Sequence, residues 1–218
     1  MPEHLTLEAV DSGGAIQEAL DETKTSSRLR FLQKAVVAGG TIAVGGVLVG
    51  GLPKLAVGAP SPSQDVEILN FALLLEYLEA EFYTQAVAGG ALSGETLAFA
   101  RVVGAHERAH VAFLQKALGS KANPKPTFDF KGTTEDMGKF QATAIVLEDT
   151  GVSAYNGQGP RLTKKTLAAA GSIVSVEARH AAWIRDIVRK PPAPLAFDKA
   201  LTKQQVEAAV GRTGFIQP

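Results

Sequence analysis

The chain contains no cysteine. That excludes thiolate metal sites, iron–sulfur clusters, disulfides and cysteine nucleophiles. It says little about compartment, because a thiol-free chain is indifferent to redox poise. An excess of either charge is also lacking, since 22 basic residues balance 22 acidic ones. There is therefore no global field to recruit nucleic acid or an anionic surface, and no nucleic-acid partner is expected. A length of 218 residues leaves room for one domain of ordinary size with appendages.

The N-terminal quarter reads differently from everything after it. Residues 1–27 are polar and mixed in charge, with little apolar periodicity, and are read as largely unstructured with one short helix near Ala15–Glu22. Arg28, Arg30 and Lys34 then precede AVVAGGTIAVGGVLVGGL, an uncharged stretch from Ala35 to Leu52. Its six glycines argue against a stable soluble helix. A basic flank, an apolar core and the small-residue sequence AVGA (56–59) are the parts of a bacterial-type export signal. SRLRFLQKA resembles a twin-arginine signal but departs from it at Leu29, where the second arginine should stand, which tells against that route. Pro60 directly after AVGA disfavours cleavage there, and eighteen apolar residues barely span a bilayer, so 35–52 reads as a signal or as a membrane tether. The expected location is exported or membrane-tethered, extracytoplasmic, or cytoplasmic if this segment does not work as a signal. The organisation is thus 1–34 polar region ending in a basic flank, 35–60 apolar segment and linker, 61–190 helical domain, and 191–218 tail.

Four long helical patterns follow the linker. The first runs over 64–88, with Ser63 or Asp65 as cap and Gly89-Gly90 as stop. The second starts after Ser93 and ends at Gly119. A loop over 120–133 carries Pro124, Pro126, Phe128 and Phe130, and its aromatics are expected to fold back onto the helices. The third pattern covers 134–155 and stops at Asn156-Gly157; the fourth covers 163–189 and ends before Pro191-Pro192. The tail holds one short helix capped by Thr202. Short first–second and third–fourth connections make antiparallel neighbours, whereas the longer middle link permits a crossover.

Two of the four histidines stand in the same frame, Glu107-x-x-His110 and Glu177-x-x-His180. Residues three apart share a helix face, so each frame presents a carboxylate and an imidazole together. Each has a partner glutamate about thirty residues upstream, Glu76 and Glu148, and each partner is followed seven residues later by a tyrosine, Tyr83 and Tyr155. Seven residues is two helical turns, which sets each tyrosine on its glutamate's stripe. The chain is a weak internal repeat, and two such hairpins packed face to face bring four Glu and two His to one point. The first helix's inner stripe, Leu69 to Val87, is apolar except at Glu76 and Tyr83, and Ile145 and Val152 flank Glu148. Ionised carboxylates in such surroundings are costly unless paired or coordinated. Two divalent cations supply +4 against four carboxylates and neutralise the cluster.

This constellation resembles the ferritin-like superfamily of di-iron carboxylate proteins over roughly 64–190. LEYLEAEFY is similar to the first-helix ligand segment of ferritins and bacterioferritins, and AHERAH and VEARHAAW are similar to their second- and fourth-helix Glu-x-x-His segments. The resemblance implies an all-α, antiparallel four-helix bundle with a long crossover between the second and third helices. It implies metal ligation by Glu76, Glu107, His110, Glu148, Glu177 and His180, with Tyr83 and Tyr155 supporting the carboxylates. It implies two iron ions first, manganese or a mixed pair second, and dioxygen or peroxide as reaction partners. Three functions follow from it: an oxidase or ferroxidase in iron and oxidative-stress handling, a storage-cage subunit, or a non-catalytic stress or desiccation-related protein. Manganese catalase is a minor fourth.

Several neighbours stay open at this stage. Glu79 also faces inward and competes with Glu76 as ligand. His106 points away from the Glu107 face, as a support or a surface residue. Asp149 reads as solvated or capping, Trp183 as core, and Arg108 and Arg179 as outer-face charges.

Overall fold

The computed structural model describes residues 60–217. The expected leader helix and the apolar 35–52 segment lie outside these residues. Among the described residues no helix is long and apolar enough to cross a membrane.

Helix α1 (Pro62–Gly89) opens with Pro62 in its first turn and Ser61 as cap, whose Oγ accepts from the Gln64 amide at 3.3 Å. The expectation of Ser63 or Asp65 as cap is thus corrected, because proline at the first position starts the helix two residues earlier. Asp65 is buried and serves another helix. Its carboxylate accepts from the Thr163 amide at 2.9 Å and from the Thr163 and Thr166 hydroxyls, each at 2.5 Å. Thr163 is the N-cap of α4 (Lys164–Ile187), so α1 supplies the anion that the positive end of α4 favours. Those contacts hold the Asp65 carboxyl below its ordinary value although burial opposes it.

Helix α2 (Gly94–Leu118) follows α1 after a four-residue turn, and the two form an antiparallel hairpin. The link to α3 (Met137–Gln158) carries a 3-10 turn at Gly119–Lys121 and a short strand β1 (Thr127–Phe128). Phe128 and Phe130 are both buried, and Phe130 packs edge-on against Phe82 at 5.3 Å between ring centroids. β1 pairs antiparallel with β2 (Ile216–Gln217) at the end of the tail, a pairing absent from the sequence reading. Helix α3 is capped by Asp136, which accepts from the Lys139 amide at 2.8 Å.

The expected stop of α3 at Asn156-Gly157 is also corrected. The helix continues through both residues, and Gly157 is a packing position. A Cβ there would lie 1.8 Å from the Leu201 carbonyl oxygen, where the returning tail crosses and the Leu201 amide donates to the Ser153 carbonyl at 3.0 Å. The tail ends in α5 (Lys203–Thr213), opened by a capping box of Thr202 and Gln205 and packed on α3 through the buried Val206 and Val210.

The paired hairpins α1–α2 and α3–α4 pack as an antiparallel four-helix bundle, joined by the long α2–α3 crossover. Helices α1 and α3 are buried on most sides, as central helices should be. One end of the core is an aromatic cluster in which Phe82 stacks on Phe140 at 5.1 Å and Tyr83 meets Phe99 edge-on. Trp183 is half-buried and edge-on to Phe99 at 5.3 Å. Burying each such ring contributes about 1.5–3 kcal/mol, and this packing holds the polar centre of the bundle in place.

Candidate metal centre

The six side chains singled out by the repeat converge between the four helices. Helix α1 presents Glu76, α2 presents Glu107 and His110, α3 presents Glu148, and α4 presents Glu177 and His180. Two groups have ligand atoms that all lie within 4.8 Å of one another. One is Glu76, Glu107, His110 and Glu177; the other is Glu107, Glu148, Glu177 and His180. Glu107 and Glu177, one from each Glu-x-x-His frame, belong to both groups, and each group adds one further Glu and one His. The arrangement is two-fold in character, as the repeat is.

The distances express this sharing. His110 Nδ1 lies 3.0 Å from Glu107 Oε2, 3.1 Å from Glu177 Oε1 and 3.3 Å from Glu76 Oε2. His180 Nδ1 lies 3.0 Å from Glu107 Oε1 and 3.3 Å from Glu148 Oε2. Glu107 therefore offers one oxygen to each histidine.

Close approach is not the same as hydrogen bonding here. Glu76 Oε2, Glu107 Oε1, Glu148 Oε2, both Glu177 oxygens and His180 Nδ1 are buried without a hydrogen-bond partner. Such orphaned groups are rare in folded proteins and call for an ion or a water. Carboxylate oxygens mixed with imidazole nitrogens are donors that suit iron, manganese or zinc. The residues present fit a metal ion.

The outer oxygens of two carboxylates are held by the tyrosines, crosswise. Tyr155 on α3 donates to Glu76 Oε1 on α1 at 2.5 Å, and Tyr83 on α1 donates to Glu148 Oε1 on α3. Each hydroxyl turns its carboxylate so that the other oxygen faces the centre. Burial first, and then the adjacent glutamates, push both phenols well above their ordinary value, so both remain donors.

Without a cation the carboxylates take up protons. Burial and the neighbouring glutamates push Glu107 well up. Burial, partly offset by the Tyr83 hydrogen bond, raises Glu148 to about 8. Burial and the Glu76 charge raise Glu177 to about 8. Burial works against a charged His110, but the close carboxylates of Glu177 and Glu76 prevail and raise it to about 10. His180 moves down, because it is buried more deeply. Mutual repulsion of this kind marks carboxylates gathered for a cation.

The residues left open fall into place. Glu79 is buried beside the cluster but outside both ligand groups, and burial together with Glu148, Glu177 and Glu76 pushes it well up. His106 is exposed, yet its Nδ1 lies 2.9 Å from His180 Nε2, with the two rings stacked 5.1 Å apart. It thereby fixes which nitrogen of His180 faces the centre. Helix phase on α2 could not reveal this contact, which depends on the register between α2 and α4. Asp149 pairs with Arg185, Arg179 is exposed, and Arg108 reaches the Thr84 hydroxyl at 3.4 Å.

No curated protein matches the chain. The sequence model of the family described as the ferritin-like domain matches residues 64–190, the span of the four-helix bundle and its converging Glu and His side chains. The chain belongs to the ferritin-like domain family.

Proposed function

We propose that the protein holds two metal ions, iron in the first instance, and uses them as an oxidase or ferroxidase toward dioxygen or peroxide. Glu76 and His110 serve one ion, Glu148 and His180 the other, and Glu107 and Glu177 are shared. The observation that carries this reading is the membership of Glu107 and Glu177 in both ligand groups, with their inward oxygens unpartnered. Glu107 and Glu177 would hold two iron ions close together, and iron bound there would supply the electrons for a two-electron reduction of oxygen or peroxide.

The protein's own groups set charge, orientation and access. Four carboxylates balance two divalent ions, which removes the cost of burying either set alone. Tyr83 and Tyr155 keep Glu148 and Glu76 turned inward, and His106 keeps Nδ1 of His180 directed at the centre. The aromatic cluster beside Tyr83 keeps bulk water out of that end. The proposed setting is extracytoplasmic, reached through the 35–52 segment acting as a signal or tether. An extracytoplasmic protein of this kind would remove Fe(II) and peroxide together.

The test is reconstitution of the chelator-treated protein with Fe(II) under argon, elemental analysis, and then exposure to oxygen or peroxide. Two ions per chain and faster Fe(II) oxidation than in protein-free buffer support the reading. Fewer than one ion per chain overturns it.

A further inference from the structure

Among the described residues three large apolar side chains are more than half exposed: Val146 and Leu195, each 55%, and Phe197, 88%. All three belong to one face. After α4 the chain turns at Arg189, whose φ is 59°, and runs without regular structure until α5. This strap faces Asp149 and Thr150 of α3 and Ala178 and Ala181 of α4 across a cleft. Val146 lies one turn before Asp149 and Thr150, on the same side of α3. Leu195, Ala196 and Asp198 line the cleft and Phe197 does not, so its ring points away from the bundle. Single exposed apolar residues are ordinary. Three gathered on one face mark a contact surface.

Charge selects what that surface meets. Lys139, two turns before Val146 on the same stripe, and Arg189, Lys190 and Lys199 of the strap are all exposed. The exposed acids beside them are Asp186 and Asp198, since Asp149 is engaged by Arg185. The face is therefore basic on a chain whose charges balance overall. A second copy docked by two-fold symmetry would set these basic groups against themselves. One ring and two aliphatic side chains are also too few for the core of a stable protein interface. An anionic bilayer suits both features, because the ring enters the interfacial layer while the basic groups meet the headgroups. In the sequence a short linker, 53–60, separates the bundle from the apolar 35–52 stretch, so a chain tethered there is kept beside a bilayer.

We propose that the strap docks the bundle on an anionic phospholipid surface, with Phe197 and Leu195 as the inserted side chains and Lys139, Arg189, Lys190 and Lys199 as the basic rim. The docking is independent of the two-metal reading. To the proposed tether it adds a second membrane contact, made by the folded domain.

Because the chain has no cysteine, Ala196→Cys and Ala112→Cys each accept a single fluorescent label. Ala196 is exposed beside Phe197. Ala112 is exposed on α2, one turn beyond Arg108, which reaches toward α1. Each labelled full chain is mixed with vesicles of phosphatidylglycerol and phosphatidylcholine that carry nitroxides on their acyl chains. The label at 196 should be quenched and the label at 112 should not. In the Ala196→Cys chain, Phe197→Ser should lower the ratio of docked to undocked label by about tenfold or more, as expected for withdrawing an aromatic ring from an apolar layer. Lys199→Gln should lower it about fivefold, the contribution of one basic residue at an anionic surface. Vesicles of phosphatidylcholine alone should leave the label at 196 unquenched. Equal quenching at both positions assigns membrane contact to the tether alone and overturns the proposal. Quenching at neither position overturns it, as does quenching at 196 that survives Phe197→Ser or the loss of anionic lipid. A label at 196 that becomes shielded without vesicles as protein concentration rises assigns the face to a second copy and overturns the proposal as well.

Discussion

The Tyr155 hydroxyl reaches across the bundle from α3 to donate to Glu76 Oε1 on α1 at 2.5 Å, and Tyr83 returns the same contact from α1 to Glu148 on α3. Each half of the repeat thus orients a carboxylate belonging to the other half. Tyr155→Phe should lower Zn(II) affinity by about tenfold and destabilise the metal-free protein by about 1–3 kcal/mol, the cost of leaving a buried polar group unpaired. Titration calorimetry and thermal melting measure both, and an affinity within twofold of wild type would remove the tyrosines from the site.

Shared and unshared glutamates should behave differently. Glu107→Ala and Glu177→Ala each touch both ligand groups and should lose both ions. Glu76→Ala, His110→Ala, Glu148→Ala and His180→Ala should each retain one. Combining Glu76→Ala with His110→Ala should still leave one ion, because both residues serve the same group; combining Glu76→Ala with Glu148→Ala should leave none. Elemental analysis of reconstituted variants decides this, and one retained ion in Glu107→Ala contradicts the sharing.

His106→Ala should keep two ions per chain but hold one of them about tenfold more weakly, since the His180 ring loses the contact that orients it. His106→Asn, which keeps an acceptor near that place, should recover part of the loss. Equal affinity in wild type and His106→Ala would show that packing alone orients His180.

Acidity gives a further test, with a defined sign. Glu148 and Glu177, raised from 4.5 to about 8, hold protons in the folded metal-free state that the unfolded chain has already released over that interval. His110, raised from 6.5 to about 10, does the same over the next. Folded protein binds more protons than unfolded protein throughout, so stability without metal falls as pH rises from about 4.5 to about 10. Bound divalent ions need those carboxylates ionised, so metal stabilises more at higher pH. The gap between melting temperatures with and without Zn(II) should widen between about pH 5 and about pH 9; a gap that narrows contradicts the carboxylate cluster as the binding locus.

The bundle and the six converging positions were legible because helical phase is a local property. Glu107 and His110 share a face wherever their helix lies, and the Glu-x6-Tyr spacing marks the inner stripe of two helices at once. What escaped was set between elements. Whether Glu76 or Glu79 enters a ligand group depends on how α1 is rotated against α4, and the His106–His180 contact depends on the α2–α4 register. Gly157 reads as a helix stop until the tail is seen crossing it at Leu201. Asp65 reads as a local cap until α4 is seen to begin beside it. The two-residue β1–β2 pairing has no periodicity to detect.

His110 has 13% of its side chain exposed, whereas His180 has 3% and the four glutamates of the ligand groups 0–1%. The symmetry of the donors is therefore not a symmetry of access. On the proposed two-ion reading, ions would enter and leave by way of the Glu76–His110 half, and the half around Glu148 and His180 would fill second and empty last. Removal of metal by a chelator should then proceed in two kinetic phases of equal amplitude.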